Sequence, residues 1–329
     1  MKKIALLYRQ KNIVRNSIES VFKPLESFPL INRQVLPCDL KSVSNALRLI
    51  SFALKIREKY IHITGDVHYM AIFLFWKPII LVIHDCNHYE SLKGIRKKLL
   101  GILWFKMPIY IAKQVVVISP YVKNQLQSHF NIKDDKIEII PNSFYPICAT
   151  QDQIENKLFV IMAIGTKRNK NLPRLIEAVA DIKDIQLNII GPLSLELEEC
   201  LRNYRVSYIN SYNISQKELE RNYNNANLLF FASTKEGFGL PILEAQSCGL
   251  PVITSNTTSM PYVAGNGACI VDPYDIEDIK NAIIKVKTDV IFRQYLIDEG
   301  YLNIKRFGET IFLKSYEVLY DKTFNMTLT

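Results

Sequence analysis

Ten short apolar runs, separated by polar segments, define the pattern of this chain. Most are apolar at consecutive rather than alternate positions, which is typical of strands buried on both faces. They predict strands at residues 4–8, 60–64, 79–84, 115–119, 137–141, 158–164, 187–191, 228–232, 251–254 and 269–271. Strands of this kind occur in parallel sheets that helices cover on both sides.

Segments with a helical spacing of apolar residues lie between most of these runs. They predict helices at residues 42–59, 90–105, 120–130, 172–182, 215–226, 240–248 and 276–287, with a final helix at 309–320. This alternation indicates an α/β fold with doubly wound parallel sheets. A polar, aperiodic segment at 148–156 predicts a boundary, so we expect domains at 1–150 and 151–308, with 309–329 packing back on the first domain.

The most informative stretch is FFASTKEGFGLPILEA, residues 230–245, where an apolar strand leads through a glycine-containing turn into a helix. Gly237 and Gly239 permit close backbone approach to a ligand, and Pro241 suits the first turn of a helix. Free N–H groups at such a helix start favour a phosphate. Glu236 and Glu244 can accept hydrogen bonds from sugar or ribose hydroxyls. The alternative is an ordinary strand-to-helix turn in which Glu244 only complements the helix dipole.

Composition narrows the class of protein. With 329 residues, 48% of them hydrophobic, the chain can fill two domain cores. Its net charge of +9 permits an anionic partner such as nucleic acid, an anionic bilayer or a phosphorylated substrate. The six cysteines show no Cys-x-x-Cys spacing, so we expect them to be reduced and buried, as in a cytoplasmic protein without structural zinc. No signal peptide or membrane-spanning run is predicted.

Four ordered motifs resemble those of the nucleotide-sugar-dependent glycosyltransferases of family 4. They are AIGTKRNKNL at 163–172, EGFGLPILE at 236–244, VISP at 117–120 with IPNS at 140–143, and AGNGA at 264–268 followed by DP at 272–273. The resemblance implies the GT-B fold, an α/β architecture of two Rossmann-like doubly wound domains facing a central cleft. It also implies a retaining, metal-independent hexosyltransferase of the bacterial surface-polysaccharide branch.

The resemblance assigns donor-side roles by position. Glu244 is expected to hold the ribose hydroxyls of the donor nucleotide, Glu236 to lie at the transferred sugar, and Lys170 to meet the diphosphate. The other expected donor-binding residues are Gly165, Thr166, Arg168, Gly237, Phe238, Gly239 and Leu240. Fixed cations suit a leaving diphosphate because they stabilise its charge without reorganising. The alternative for Lys170 is a solvated lysine at a helix start.

Two positions depart from the family pattern. Thr166 stands where many relatives place an arginine, so Arg168 or Lys167 is expected to supply the second phosphate-binding cation. Tyr262 stands where relatives commonly carry glutamate. The sequence contains no Asp-x-Asp motif, so we expect no metal and no other cofactor, with Lys170 and the helix dipole acting in place of a divalent ion.

The first domain carries weaker matches at the carboxyl ends of predicted strands, where parallel α/β sheets bind their ligands. His84 is the main candidate there, expected to contact the donor sugar or the reacting centre. Acceptor-side candidates are Arg9, Ser17, Glu19, Asp66, His68 and Asp85. A capping aspartate and a half-buried histidine explain Asp66 and His68 equally well. A metal site formed by His84, Asp85 and His88 is a weaker alternative.

Basic and apolar residues are interleaved through residues 93–113. Five cations, Lys93, Arg96, Lys97, Lys98 and Lys106, accompany a leucine-rich segment that contains a tryptophan. Two interpretations fit equally well: a helix that lies on an anionic membrane surface, or a core-facing apolar stripe with a solvated basic back. The first implies a cytoplasmic protein that is peripheral on the inner membrane.

The resemblance implies transfer of a hexose or N-acetylhexosamine from a UDP- or GDP-sugar to a hydroxyl of a glycan acceptor. The expected acceptor is linked to polyprenyl diphosphate, in the assembly of O-antigen, capsule or another surface polysaccharide. Two alternatives stay open. A GT-B nucleotide-sugar epimerase would act on the donor alone. A basic nucleic-acid-binding protein would use the positive charge, but no such binding motif is recognisable, so we predict no nucleic-acid partner.

Overall fold

A computed structural model describes residues 3–10, 17–147 and 158–326. The chain divides into a first unit, Met1–Ser143 with Glu309–Thr329, and a second unit, Phe144–Gly308. The predicted boundary at 150/151 lies outside the described residues. Each unit is built on one parallel six-stranded sheet, which confirms the predicted α/β class with two doubly wound sheets.

The first unit contains strands β1 to β6, in the order β2-β1-β3-β4-β5-β6. The strands are β1 Ile4–Tyr8, β2 Ile31–Val35, β3 Tyr60–Ile63, β4 Ile79–Ile83, β5 Gln114–Val117 and β6 Ile137–Ile139. Its helices are α1 Ser17–Phe22, α2 Val43–Lys55, α3 Met70–Phe73, α4 Asn87–Ser91, α5 Gly94–Leu100, α6 Met107–Ile111, α7 Pro120–Phe130 and α15 Glu309–Phe324. All residues of β1, β4 and β5 are buried, so apolar side chains fill both faces of the sheet centre.

Helix starts in this unit follow the local sequence. The Ser42 hydroxyl accepts a hydrogen bond from the Asn45 amide and caps α2, and Ser119 caps α7 in the same way, with Pro120 in the first turn. Side-chain caps of this type satisfy N–H groups that have no partner within the helix. The predicted helix at 90–105 is instead two helices, because α4 ends at Ser91 before α5 begins.

Helix α15 packs within the first unit through aromatic contacts. The Phe312 and Phe22 rings lie 5.9 Å apart, and Tyr60 stacks on Phe324 at 4.4 Å. His62 Nδ1 lies 2.5 Å from the Tyr320 hydroxyl. Burial of His62 lowers its pKa to about 3, so the imidazole is neutral in the folded protein.

The second unit contains strands β7 to β12, in the order β12-β11-β10-β7-β8-β9. The strands are β7 Phe159–Ile164, β8 Ile185–Ile190, β9 Tyr208–Ser211, β10 Leu228–Phe231, β11 Val252–Ser255 and β12 Cys269–Val271. Its helices are α8 Leu172–Val179, α9 Leu195–Asn203, α10 Gln216–Asn225, α11 Leu240–Ser247, α12 Met260–Ala264, α13 Ile276–Thr288 and α14 Val290–Ile304. The core lies where buried residues of α8 and α13 meet those of β7, β8 and β10.

The two strands that the apolar runs do not predict are β2 and β9. Both lie at the edge of a sheet, with sequences INRQV and YINS and mostly exposed or half-buried side chains. An edge strand shares hydrogen bonds with one neighbour and buries little side-chain surface, so its sequence need not be apolar. Hydrophobic pattern therefore predicts the centre of each sheet better than its edge.

The cysteines correct one expectation. Four of them, Cys38, Cys86, Cys200 and Cys269, form no disulfide. Cys248 is disulfide-bonded, so the prediction that all six cysteines are reduced is wrong for this residue. Across the described ranges, no helix combines the length and apolarity that a bilayer-spanning segment requires.

Candidate functional site

The candidate donor site begins where β7 ends. Gly165 has a φ of +84°, and a Cβ at this position would lie 2.9 Å from Lys170 Cε and 3.2 Å from Lys170 Cγ. Only glycine combines this backbone conformation with such close approach of a side chain. The chain then forms a short 3-10 turn, Arg168–Lys170, ahead of α8. Gly165 thus lets the Lys170 side chain lie against the end of the strand.

Lys170 and Glu236 form the centre of this site. Lys170 Nζ lies 2.5 Å from Glu236 Oε1, and both side chains are largely shielded from solvent. Asn169 Nδ2 donates to the same carboxylate oxygen at 3.0 Å and to the Lys235 carbonyl at 2.9 Å. Lys170 Nζ also lies 4.3 Å from the Phe231 ring centroid, a cation–π distance. These contacts exclude the alternative of a solvated lysine.

The loop before α11 is fixed by its own backbone. Gly239 has a φ of +118°, and a Cβ there would lie 2.7 Å from Met260 Cε. The Ser259 hydroxyl lies 2.8 Å from the Phe238 carbonyl oxygen and 3.1 Å from that of Glu236. Gly237 and Phe238 are buried, and the Phe238 ring meets that of Phe307 edge-on at 5.7 Å. The contacts with Met260, Ser259 and Phe307 therefore fix the conformation of this loop.

Helix α11 begins at Leu240 without a capping side chain, because Gly239 is its N-cap. Unpaired N–H groups and the helix dipole make such a start attractive to an anion. No acidic residue lies in the first turn, so Glu244 is not a dipole-complementing residue. This finding does not support the alternative in which Glu244 only complements the helix dipole.

Glu244 is held by a residue that sequence motifs do not reveal. The Tyr223 hydroxyl, from the end of α10, donates to Glu244 Oε2 at 2.6 Å, and Tyr223 itself is fully buried. Burial raises the pKa of Glu244, and the hydrogen bond from Tyr223 acts in the opposite direction. Tyr223 thus occupies one carboxylate oxygen and favours the anion, while the other oxygen has no hydrogen-bond partner within the described parts of the chain.

The two departures from the family pattern have different environments. Thr166 Oγ1 donates to the Pro192 carbonyl at 2.6 Å, so its hydroxyl is engaged within the unit. Lys167 and Arg168 are both exposed beside the Gly165 turn and carry the only free positive charges of that described segment. The Tyr262 ring packs under the Arg306 guanidinium at 5.2 Å and edge-on to Phe307 at 6.2 Å, a packing role that explains why an aromatic ring is accepted there.

A second cluster of candidates lies in the first unit. Arg9, directly after β1, pairs with Glu19 at 3.1 Å and 3.3 Å through two nitrogens and also pairs with Asp66. The structure thus brings these three predicted residues together. The side chain of Ser17 lies outside the described part of the chain, although its backbone begins α1.

A cavity of about 490 Å³ opens beside this ion cluster. Charged residues and aromatic rings both line it, and they come from the ends of β1, β3 and β4 and from the turn Gly101–Lys106. Among its lining residues are Arg9, Asp66, His68, Asp85, Tyr69, Trp104 and Phe105. Carboxylates near aromatic faces suit a polar ligand with flat apolar patches, such as a sugar ring.

The histidines of this region differ in role. His84 Nε2 lies 2.7 Å from the Thr64 carbonyl oxygen, which can only accept, so Nε2 carries the proton and Nδ1 is free to accept. Burial lowers the pKa of His84, which favours this neutral form. A Cβ on Gly65, whose φ is +132°, would lie 2.4 Å from His84 Cδ2, so Gly65 makes room for the ring.

His68 and Asp85 have local structural partners. His68 is buried, its Nδ1 lies 3.1 Å from the Trp104 carbonyl oxygen, and burial lowers its pKa to about 4. Asp85 Oδ1 accepts from the Asn87 amide at 2.8 Å. Among the described residues no three His, Cys, Asp or Glu side chains are placed to hold a metal ion, so the structure does not bring His84, Asp85 and His88 together as a set of ligands.

Two family models match the chain in succession. Residues 20–144 match the model described as Glycosyltransferase Family 4, and residues 149–303 match the model described as Glycosyl transferases group 1. Together these ranges include the motifs at 117–120 and 140–143, the Gly165 turn and the loop before α11.

Individual proteins agree with the models. The chain is 26% identical over 239 residues to the O-antigen chain mannosyltransferase RfbU of Salmonella typhimurium strain LT2, covering 69% of this chain and 67% of that protein. It is 24% identical over 346 residues to the capsular polysaccharide biosynthesis glycosyltransferase CapM of Staphylococcus aureus, covering 95% and 91%. A glycosyltransferase structure from Rickettsia africae superposes with a TM-score of 0.78 at 17% identity over 99% of both chains. The chain is therefore a GT-B glycosyltransferase and belongs to glycosyltransferase family 4.

Proposed function

We propose that this glycosyltransferase moves a hexose or N-acetylhexosamine from a UDP- or GDP-sugar to a hydroxyl of a glycan acceptor, with retention at the anomeric carbon. The observation that carries the proposal is the Lys170–Glu236 pair, which lies between the Gly165 turn and the start of α11. A cation, a carboxylate and uncapped N–H groups on neighbouring loops suit a ligand that joins a sugar to a diphosphate.

In this proposal each donor-side group has one task. Glu244 accepts hydrogen bonds from the ribose hydroxyls through the oxygen that Tyr223 leaves free. The start of α11 and Lys170 bind the diphosphate, and Glu236 binds hydroxyls of the transferred sugar. When a donor binds, Lys170 exchanges part of its contact with Glu236 for phosphate oxygens, which carry more charge.

The chemical step follows from where charge accumulates. As the bond between sugar and phosphate breaks, negative charge grows on the leaving diphosphate, and a fixed ammonium with N–H dipoles stabilises it without reorganisation. We propose that Lys170 and the α11 dipole perform this role in place of a divalent ion. The acceptor hydroxyl attacks from the face that the diphosphate leaves, and a donor phosphate oxygen takes its proton. No second carboxylate is then needed as a base.

The cavity of the first unit is the proposed acceptor site. Its Asp66 and Asp85 carboxylates can accept hydrogen bonds from acceptor hydroxyls, and the Trp104 ring offers a face for a sugar. His84 is not among the residues that line this cavity. We propose that its Nδ1 accepts a hydrogen bond from a hydroxyl of the donor sugar or at the reacting centre, since its Nε2 is committed to the Thr64 carbonyl.

The names of the two relatives indicate the kind of biosynthetic process to which this reaction could belong. One is an O-antigen chain mannosyltransferase and the other acts in capsular polysaccharide biosynthesis. We propose that this chain likewise extends a surface polysaccharide, on an acceptor linked to polyprenyl diphosphate, at the cytoplasmic face of the inner membrane.

A thermal-shift screen against UDP, GDP and their sugars tests the donor half of the proposal, because a ligand that binds only the folded state raises the midpoint of unfolding. We expect one nucleotide to raise the midpoint. Product analysis with that donor then tests transfer, and a new sugar nucleotide formed without acceptor would identify an epimerase instead. No shift with any nucleotide would contradict the donor assignment.

A further inference from the structure

Asn169 joins two loops of the candidate donor site. Its backbone carbonyl accepts a hydrogen bond from the Thr234 amide at 2.9 Å. Its side-chain Nδ2 donates to the Lys235 carbonyl at 2.9 Å and to Glu236 Oε1 at 3.0 Å. One half-buried asparagine thus contacts three consecutive residues of the loop that leads into α11.

The side-chain amide of Asn169 has one orientation that fits both of its partners. The Lys235 carbonyl and the ionised Glu236 carboxylate can only accept hydrogen bonds, so the NH₂ end of the amide faces them. Turning the amide over would place its own oxygen against two other oxygens. Both N–H groups of the amide are thereby used, and the two bonds fix its plane as well as its position.

Glu236 Oε1 receives two donors of different kinds. Lys170 Nζ lies 2.5 Å from this oxygen and carries a charge, whereas Asn169 Nδ2 is neutral. The other oxygen, Oε2, accepts no hydrogen bond from the described residues, and 20% of the Glu236 side chain is exposed. One carboxylate oxygen is thus bound within the protein, and the other is available to a ligand.

The two donors should respond differently to a diphosphate. Under the proposed function Lys170 turns part of its bonding to phosphate oxygens, which carry more charge than one carboxylate. Glu236 then loses strength in the single ion pair that it forms with the described residues, and the phosphate charge repels it. The Asn169 amide already gives both N–H groups to the loop, so it gains little by turning to phosphate. Asn169 is therefore the contact that stays.

We propose that Asn169 is a positioning residue for the transferred sugar. It holds Glu236 Oε1 in the donor complex, so that Oε2 faces the sugar hydroxyls after Lys170 has turned to the diphosphate. This inference rests on the proposed function, because it takes Glu236 as the group that binds the sugar. A neutral donor also leaves the carboxylate its charge, which strengthens the hydrogen bonds that it accepts from hydroxyls.

This role separates the sugar from the nucleotide. Glu236 binds the sugar, whereas the start of α11, Lys170 and Glu244 bind the nucleoside diphosphate under the proposed function. Loss of the Asn169 amide should therefore weaken binding of a sugar nucleotide and leave binding of the free nucleoside diphosphate nearly unchanged. A general disturbance of the loop would weaken both, because α11 begins on the same loop.

The test is titration calorimetry of wild type, Asn169→Ala and Asn169→Leu with UDP, GDP, UDP-glucose, UDP-N-acetylglucosamine and GDP-mannose. Neither variant can donate, and leucine is close to asparagine in size, so a packing role would spare Asn169→Leu. Both variants should bind the sugar nucleotide that wild type prefers about 10-fold more weakly, the loss expected for one hydrogen bond to a charged group. Their affinity for the parent nucleoside diphosphate should stay within about threefold of wild type.

Turnover gives a second readout. With the donor that wild type uses, the kcat of Asn169→Ala should fall about 10- to 100-fold, because Glu236 is no longer held at the sugar. The matched control is Asn281→Ala, at an exposed position of α13, which should stay within about twofold of wild type in binding and in turnover.

Three results would overturn the inference. Equal affinity of wild type and both variants for the sugar nucleotide would remove Asn169 from the site. Parallel losses for the sugar nucleotide and the nucleoside diphosphate would assign it a structural role in the loop, and wild-type behaviour of Asn169→Leu would assign it a packing role. If wild type itself binds no nucleotide, the proposed function fails and this inference with it, so the two failures are distinguishable.

Discussion

The two units carry their candidate chemistry in different ways. In the second unit it lies on two short segments, the Gly165 turn with Lys170 and the loop before α11, where backbone conformation shapes the site. In the first unit it lies in a cavity whose side chains come from several separate strand ends and helices. Under the proposed function, donor binding would depend on local backbone geometry and acceptor binding on convergence of distant side chains. Changes in one unit should therefore affect one substrate.

The largest expected effect is that of Lys170→Ala. Removal of the ammonium leaves the growing charge of the diphosphate unstabilised, so the transfer rate should fall about 10²- to 10³-fold. The measurement is kcat at saturating donor. Lys183→Ala is the control, since this lysine is exposed and precedes β8 at the amino end of the strand, and we expect a change of no more than about threefold. Equal rates for wild type and Lys170→Ala would remove this residue from the reaction.

Acid should destabilise the first unit more than the second, because all five histidines lie in the first unit. The pKa values of buried His62 and His68 are lowered to about 3 and about 4. Their contribution to stability is present above an unfolded pKa of about 6.5 and is lost as the pH falls towards these values. Across this range, each of the two histidines should lower the free energy of unfolding by about 1.4 kcal/mol per pH unit.

Hydrogen exchange at pH 7.0 and pH 5.5 measures this loss. Protection factors of β3 and β4 should fall on acidification, while those of β7 and β10 should change less. A His62→Gln variant, whose side chain is polar but does not titrate, should reduce the fall in protection. An equal fall in both sheets would contradict the assignment of acid sensitivity to the first unit.

A smaller effect is expected for Tyr223→Phe, which removes only the hydroxyl that donates to Glu244. Donor affinity should fall about 10-fold, because a hydrogen bond to a charged group contributes about 1.5 kcal/mol. The pKa of Glu244 should rise further without this donor, so the loss should be greater at pH 5.5 than at pH 7.5. A loss independent of pH would indicate a packing role alone. The readout is the dissociation constant of the nucleotide across this pH range.

The smallest expected effect is that of Asp66→Asn in the first unit. Asparagine tolerates the left-handed φ of +57° at this position but weakens the pairing with Arg9 and the acceptance of hydroxyl hydrogen bonds. The KM for acceptor should rise about fivefold, while the dissociation constant for donor stays unchanged. Asp134→Asn, which breaks an ion pair with Lys123, is the control. A weakened donor affinity in Asp66→Asn would contradict the expectation that changes in the first unit affect acceptor binding alone.

Much of the fold follows from the sequence because buried parallel strands are recognisable as apolar runs. Strands β1 and β12 have the predicted bounds, and α7 does as well. Helix α14 was not predicted because its apolar residues are distributed around the whole helix and give no one-sided pattern. Edge strands β2 and β9 lack the apolar run altogether.

The site was predictable where its residues are close in sequence. Glu236 and Glu244 stand eight positions apart on one loop and helix, so their shared location is visible in the sequence. The contact of Lys170 with Glu236 joins residues 66 positions apart, and it became visible only through the family motif and the pairing of β7 with β10. Tyr223 was missed because nothing in the α10 sequence indicates that its hydroxyl reaches Glu244.

The measurement that tests the central claim most directly is the equilibrium binding of UDP and GDP by titration calorimetry to wild type, Lys170→Ala and Lys183→Ala. Because Lys170 supplies the buried cation of the donor site, one nucleotide should bind to wild type, and Lys170→Ala should weaken it at least about 10-fold. Lys183→Ala should stay within about threefold of wild type. Binding of neither nucleotide, or equal binding by wild type and Lys170→Ala, would contradict the claim that the second unit holds the donor through Lys170.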